Sequence, residues 1–443
     1  MAKKVKTAFI CNNCGFVSYK WLGKCPECES WNSFIESIEE PKKMSLSVDT
    51  EATRPVKLEE IKVDNFKRIT LGISELDNLV GGGFVTGSVV LIGGEPGIGK
   101  STLMLQLSSI LADKDKSVLY MSAEESKEQI KMRASRLKLK SVNFSILSTN
   151  IFEAVQDLLE KTFFDFVIID SVQTFYSKEL MSPAGTISQV RYITYNLVEL
   201  AKKSGVTVFI IGQITKEGLI AGPKVLEHLV DTVLYFEGDY SKGFRILRAT
   251  KNRFGPSNEV ALFEMKDVGL TPLNMKQLFS NRDIAGKSMA SVIEGSRAFV
   301  LEIQSLVTPT YFNYPRRNVT GYDLNRLHML IAILDKRYGL NISSYDIYIN
   351  IAGGFKITET AADLSVCASI ISSYKNIIIP SNTLFIGEVS LSGGVASVSS
   401  MDLRISQALK YGFKKVYVPK GSNATFDKLQ CIQIENIEQL ELF

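Results

Sequence analysis

The chain has 443 residues, 45% hydrophobic and 22% charged, with 51 lysines and arginines against 47 acids and a formal net charge of +4. At about 150 residues per domain this length gives about three domains, and the composition is that of a globular protein with sizeable cores. So small a charge excess does not by itself signal a nucleic-acid partner. No apolar run reaches the roughly 18 residues that a membrane span requires. The basic start Met1–Thr7 has no apolar signal core after it, so a soluble, cytoplasmic protein without a membrane partner is expected.

Four of the six cysteines open the chain, at Cys11, Cys14, Cys25 and Cys28. Two Cys-x-x-Cys turns with ten residues between them have the paired-knuckle layout of a zinc ribbon. Each turn sets two thiolates on one side, and four together fill a tetrahedral Zn2+ shell, leaving no open position for chemistry. Gly15, Gly23 and Pro26 suit tight turns around a metal. The same spacing could carry two disulfides in a secreted module, but nothing here points to secretion. A structural four-cysteine zinc ribbon is expected over residues 1–35. Cys367 and Cys431 stand alone in apolar contexts and read as packed thiols. Residues 36–65 turn charged and polar, with Glu39-Glu40-Pro41-Lys42-Lys43, and read as a linker.

A second domain is expected over residues 66–271. Gly72-Ile73-Ser74-Glu75-Leu76-Asp77 and Gly81-Gly82-Gly83-Phe84 lead into the apolar run Ser88-Val89-Val90-Leu91-Ile92, a buried strand. That strand feeds Gly94-Glu95-Pro96-Gly97-Ile98-Gly99-Lys100-Ser101, a complete G-x-x-x-x-G-K-[ST] phosphate loop, and a helix leaves it at Thr102. The glycines let backbone N–H groups close around nucleotide phosphates, and the helix N-terminus adds a favourable partial charge. Lys100 is placed to reach the β- and γ-phosphates, and the Ser101 hydroxyl to sit on Mg2+. Further along, the spacing predicts strands at 117–122, 164–170 and 206–212, and helices at 127–139, 152–161 and 187–204. Such alternation predicts an α/β core with a mostly parallel sheet covered on both faces.

Phe166-Val167-Ile168-Ile169-Asp170 is an apolar strand ending in an acid, the Walker B pattern, and Asp170 is expected to hold Mg2+, mostly through water, opposite Ser101. The strand beginning at Val118 also ends in carboxylates. One of them can align and deprotonate an attacking water; Glu124 is the candidate and Glu125 the fallback. A solvated acidic pair opening the next helix is the plain alternative. Gln213, at the end of its strand, can sense a γ-phosphate by hydrogen bonding, or is simply a polar strand end.

The ribbon, the Gly72–Gly83 lead-in, the phosphate loop, the segment Ala221–His228 and the motif Lys251-Asn252-Arg253-Phe254-Gly255 together resemble the bacterial RadA (Sms) family along the whole chain. A RecA-like core alone leaves recombinases, DnaB-type helicases and KaiC-like proteins open; the four-cysteine ribbon joined to this motif narrows the choice. The resemblance implies a DNA-dependent ATPase in recombinational repair, using ATP, Mg2+ and Zn2+. It implies a homo-hexameric ring motor that drives branch migration with the RecA recombinase, on single-stranded DNA and branched intermediates. In such rings the nucleotide lies between subunits, so Lys251 and Arg253 would touch the γ-phosphate held by the next protomer. A DNA-phosphate contact, or a basic turn capped by Gly255-Pro256 after a strand at 244–249, are the other readings of this motif. The family often carries histidine at the position of Gln213; glutamine makes the same hydrogen bond. From another class, an ATP-switched scaffold that regulates or loads RecA stays open.

Loops facing the channel of RecA-like rings hold DNA, and 177–189 and 214–224 fit by position. Lys216 and Lys224 would neutralise phosphates without reading bases, and the glycines let such loops move. From 272 to 443 an α+β domain is expected, with half-buried strands at 298–304 and 345–350 and helices at 324–338 and 361–373. Its order, with Gly387–Gly393 late in the chain, is similar to the proteolytic domain of Lon. The two dyad positions fall at Ala361 and Asp402, which supply neither nucleophile nor lysine-type base, so no peptide hydrolysis is expected. This domain is expected to hold the ring together and to offer Arg316-Arg317 and Lys414-Lys415 to DNA, pairs that equally read as solvated charge.

Overall fold

A computed structural model describes the chain apart from residues 1–5, 12–15, 28, 40–56, 58, 60–66, 140–142, 214–223, 225, 239–243, 274–282, 423–428 and 441–443. It forms two compact units, Met1–Pro272 and Leu273–Phe443. The first unit begins with an antiparallel three-stranded sheet of β1 (Lys6–Cys11), β2 (Val17–Ser18) and β3 (Phe34–Glu39), with β1 in the middle. Its third strand runs to Glu39, past the expected ribbon boundary at residue 35.

A short ladder follows, of β4 (Arg68–Ile69) with β5 (Phe84–Val85), flanking the helix α1 (Ser74–Leu79). Then come β6 (Val89–Gly94), α2 (Lys100–Ala112), β7 (Val118–Ser122), α3 (Lys127–Arg136), β8 (Phe144–Ser148), α4 (Phe152–Lys161) and β9 (Phe166–Asp170). The unit closes with α5 (Ile187–Ser204), β10 (Thr207–Gln213), β11 (Thr232–Glu237), β12 (Phe244–Asn252), β13 (Val260–Lys266) and β14 (Gly269–Pro272). Nine of these strands make one sheet, ordered β14-β13-β12-β11-β6-β10-β9-β7-β8. From β11 to β8 every neighbouring pair is parallel, and β12 to β14 extend the sheet as an antiparallel meander.

Strand side chains alternate between the faces of a sheet, and the strand β9 shows both faces buried. Phe166 and Ile168 join one core with Leu103, Leu107 and Leu111 of α2. Val167 and Ile169 join the other with Val190, Ile193 and Leu197 of α5. Local signals set the ends of the helices. Ser126 and Gln129 cap α3 reciprocally, and Gly205 ends α5 in the left-handed region at φ 76°. The motif strand β12 runs on through Asn252 and does not turn after Ala249, so Lys251 and Asn252 are strand residues.

The second unit is α+β and Lon-protease-like. Its strands are β15 (Lys287–Glu294), β16 (Arg297–Pro309), β17 (Arg317–Thr320), β18 (Tyr345–Ile351), β19 (Thr383–Phe385), β20 (Glu388–Val389), β21 (Val395–Ala396), β22 (Lys415–Pro419) and β23 (Gln430–Ile434). A seven-stranded sheet runs β17-β18-β16-β15-β19-β22-β23, while β20 and β21 pair apart from it. The helices are α6 (Leu324–Ile333), α7 (Asp363–Lys375) and α8 (Met401–Tyr411). The single long helix expected over 324–338 divides: after Ile333 the chain continues as a π-turn, Leu334–Tyr338.

Candidate nucleotide-binding site

Four parallel strands end at the same edge of the first unit's large sheet: β6 at Gly94, β7 at Ser122, β9 at Asp170 and β10 at Gln213. Their register places Gly94 beside Gln213 and Ser122 beside Asp170. The carboxyl edge of a parallel sheet is where α/β folds bind ligands. A cleft of about 330 Å3 opens there, lined by Pro96, Gly97, Gly99, Lys100, Ser101 and Thr102 from the loop and α2. Ser122, Glu124, Glu125, Asp170 and Gln213 line it from the strand ends.

The loop needs glycine where it turns into α2. Gly99 has φ 121°, and a Cβ there would stand 2.9 Å from Met265 Cε on β13. Lys100 folds back over the loop and donates to the carbonyls of Gly94 and Glu95, 2.8 Å each. Burial pulls its ammonium down to about 8, against Asp170, Glu124 and Glu95, which favour the charge. A buried cation whose hydrogen bonds among the described residues go to loop carbonyls, in a glycine-walled cleft, fits a polyphosphate.

Asp170 is buried at the end of β9 and accepts hydrogen bonds from the Tyr120 hydroxyl of β7 and from Ser101. Burial pushes its carboxyl up from the ordinary value, and those two bonds pull the other way. Ser101 and Asp170 thus meet as one hydroxyl and one carboxylate, oxygen donors suited to a hard divalent cation. The two adjacent glutamates divide. Glu124 accepts from Ser171 Oγ at 2.6 Å and from Gln213 Nε2 at 3.1 Å, beside Asp170. Glu125 is paired with Arg133 of α3, and burial raises its pKa against that partner. Arg133 and Arg136 also line the cleft. Neither was singled out in the sequence; their position three residues apart on the helix that follows Glu124-Glu125 was the available signal.

The motif Lys251–Gly255 lies elsewhere. The backbone N–H of Arg253 donates to Asp231 O, and Asp231 Oδ2 accepts from Val89 N, so Arg253 sits at the start of β6. The phosphate loop leaves the other end of that strand. Lys251 donates to the carbonyls of Glu227 at 2.6 Å and Val230 at 2.8 Å, and burial lowers its pKa. Arg253 pairs with Asp231 at 3.2 Å through a side chain that is 51% exposed. Arg68 reaches the carbonyls of Gly83 and Phe254, tying the glycine lead-in to this motif.

In the ribbon, Cys11 and Cys25 are buried and each opens a knuckle closed the same way. Cys11 N donates to Phe16 O and Cys25 N to Ser30 O, both at 2.9 Å. Two matched knuckles, each presenting a buried thiol, suit a tetrahedral thiolate metal. Cys14 and Cys28 lie outside the described residues, as does Lys216; Lys224 is described and exposed. The segment 177–189 is pinned: Gln189 Nε2 donates to the carbonyls of Ser177, Leu180 and Ser182, and Gln189 Oε1 accepts from Ser177 N. In the second unit Ala361 is buried and Asp402 is exposed on α8.

A family described as an AAA domain matches residues 52–218, one described as a rubredoxin metal binding domain matches 9–36, and one described as subunit ChlI of Mg-chelatase matches 327–422. The DNA repair protein RadA of Campylobacter jejuni is 47% identical over 446 residues, covering 99% of this chain and 99% of its own. That of Streptococcus pyogenes serotype M6 is 46% identical over 443 residues, covering 99% and 97%. That of Listeria monocytogenes is 44% identical over 448 residues, covering 99% and 98%. The chain belongs to the RadA family of DNA repair proteins. As a RadA-family protein it carries an ATPase domain that uses ATP and Mg2+ and a ribbon that binds Zn2+.

Proposed function

We propose that this chain is a DNA-dependent ATPase working as a hexameric ring motor, driving branch migration of recombination intermediates together with the RecA recombinase. The observation that carries the ring is the separation of Arg253 from its own phosphate loop. Arg253 lies beside Val89 and the loop follows Gly94, the length of β6 away, about 17 Å at about 3.3 Å per residue. A half-exposed cation so placed is out of reach of its own nucleotide, which supports a role at a nucleotide on another subunit.

Within one subunit the roles follow from position. The Gly94–Thr102 loop wraps the phosphates with backbone N–H groups, and Lys100 moves its donors from carbonyls to the β- and γ-phosphate oxygens. Ser101 and Asp170 hold Mg2+, which when bound offsets charge on those oxygens. Glu124 accepts the proton of the attacking water; Ser171 and Gln213 hold its carboxylate in place. Gln213 links the site to the segment 214–223 that follows it. Arg253 of a neighbour stabilises the charge that develops on the γ-phosphate.

DNA contacts are proposed at Lys216 and Lys224 and, in the second unit, at the loop between β16 and β17. There Tyr311 and Tyr314 are 92% and 84% exposed, and the Arg316 guanidinium lies 3.4 Å from the centre of the Phe312 ring. Exposed rings beside a guanidinium accept unstacked bases of a single strand. Arg317, expected to share this role, is instead spent on the carbonyls of Tyr345 and Ser343. Peptide hydrolysis is not proposed, since the Ala361 methyl is no nucleophile. The test is ATP turnover with and without single-stranded DNA, paired with the mass of the nucleotide-bound assembly. Turnover stimulated by DNA in a six-subunit species supports the motor. Binding without turnover supports the scaffold.

A further inference from the structure

Tyr120 sits in the middle of β7 with no exposed surface, in the core cluster that also takes Phe166 and Phe209. Its ring meets Phe144 edge-on at 6.1 Å. Packing alone would accept phenylalanine here, as it does at the neighbouring positions. A buried hydroxyl costs stability unless it is hydrogen-bonded, and this one donates to Asp170 Oδ2. Ser101 donates to the same carboxylate from α2. Asp170 is therefore held from two elements, one of which also carries the phosphate loop.

A carboxylate at a strand end turns freely about χ2, because that torsion is broad and roughly two-fold. Two donors from different directions fix the plane of the Asp170 carboxylate. Tyr120 comes from the adjacent strand, two residues before Ser122, the register partner of Asp170. We propose that Tyr120 is a positioning residue for the divalent cation, its hydroxyl orienting Asp170 to hold, with Ser101, the Mg2+ that accompanies ATP. This rests on the reading of Ser101 and Asp170 as the magnesium site. Tyr120 touches neither metal nor nucleotide; it acts through Asp170. Such supporting contacts typically change metal affinity by about tenfold or more when removed.

Tyr120→Phe keeps the ring and removes only the oxygen. Mn2+ serves as the probe, with its binding to the full chain in the presence of ADP followed by electron paramagnetic resonance. Nucleotide binding in excess EDTA and the thermal melt serve as internal checks. The variant should need about tenfold more Mn2+ for half-saturation, with metal-free nucleotide affinity and melting temperature within error of wild type. Its ATPase should reach half-maximal rate at correspondingly higher Mg2+ and recover most of its rate at saturation. Unchanged Mn2+ affinity in the folded variant overturns the proposal, and so does an equal loss of metal-free nucleotide binding. Asp170→Asn separates the two readings. If it too leaves Mn2+ affinity unchanged, the magnesium site itself is misassigned. If Asp170→Asn weakens Mn2+ and Tyr120→Phe does not, only the role of the tyrosine fails.

Discussion

Gln213 donates through Nε2 to Glu124 Oε1 at 3.1 Å, tying the end of β10 to the turn after β7 across the intervening β9. Ser171, the residue after β9, donates to the same oxygen at 2.6 Å. Three neighbouring strand ends thus converge on one carboxylate. Gln213 is held in turn by Gln173, whose amide donates to its main-chain carbonyl at 3.2 Å. If Gln213 senses a γ-phosphate as proposed, a shift of its amide would release or turn Glu124 and so couple sensing of the nucleotide to placement of the proposed base.

Glu124→Gln should bind ATP but lose turnover by at least about a hundredfold, the scale of a lost general base. Glu125→Gln should stay within about tenfold of wild type, because its carboxylate is engaged by Arg133 and stands outside the Ser171–Gln213 pair. Steady-state ATPase assays beside fluorescent-nucleotide binding check both. A stronger defect in Glu125→Gln than in Glu124→Gln reverses the assignment.

Lys100→Ala removes the cation from the loop, and turnover should fall at least about a hundredfold. Its side chain points to carbonyls of the loop and not into either core, so the thermal melt should be close to that of wild type. Near-normal hydrolysis in the folded variant contradicts the phosphate-loop assignment.

Cys25→Ser replaces a buried ribbon thiol, and thiolate binding of Zn2+ is coupled to local folding. The variant should lose bound zinc by elemental analysis and become protease-sensitive in its first 39 residues, the span that ends with β3. Nucleotide binding should persist. A full equivalent of tightly held zinc in this variant rules out four-thiolate coordination.

The phosphate loop and Walker B strand were legible because fixed chemistry imposes fixed residues at fixed spacing. The helix α5 was legible to the residue, since Thr186 and Gly205 punctuate an amphipathic run. Where the reading failed, tertiary partners had overridden local signals. The alternative that placed a basic turn after Ala249 does not hold: Thr250, Lys251 and Asn252 continue β12, with the Lys251 charge met by carbonyls of the 226–230 turn. The edge strand β8 is short and only half-buried, so it carries little apolar signal. Arg133 and Arg136 were not singled out because nothing local shows which way a helix turns toward a cleft.

In the second unit, Glu359 and Arg404 flank the two positions where a Lon-type dyad would stand, Ala361 and Asp402. Arg404 is fully buried and donates to both Glu359 oxygens, at 2.9 and 2.6 Å, and to the carbonyls of Ser291 and Ser399. The two segments are thus bound to each other by an ion pair. Arg404→Met should destabilise this unit by at least about 2 kcal/mol, since it leaves the Ser291 carbonyl without its donor and the partly exposed Glu359 carboxylate with the backbone N–H of Ile293. Chemical denaturation checks it. A loss under about 1 kcal/mol would mean that the pair is dispensable.

Arg253 and Lys251 share a motif but not an environment. Lys251 is turned inward onto the carbonyls of Glu227 and Val230, so Lys251→Ala should act mainly by loosening that turn. Arg253 is half exposed and pairs with the buried Asp231, a contact that an anion of greater charge can replace. If Arg253 reaches across to a neighbour's nucleotide, Arg253→Ala should bind ATP normally through an intact loop and hydrolyse it poorly. Mixing it with Lys100→Ala tests the direction of the contact. Some interfaces in the mixed ring join the intact loop of an Arg253→Ala subunit to the intact arginine of a Lys100→Ala subunit. Such interfaces are complete, so mixed rings should regain a measurable fraction of the activity that both parents lack. Native mass spectrometry confirms that mixing has occurred. If verified mixed rings recover nothing, and Arg253→Ala alone binds single-stranded DNA weakly, the motif is a DNA contact and the nucleotide is completed by other residues.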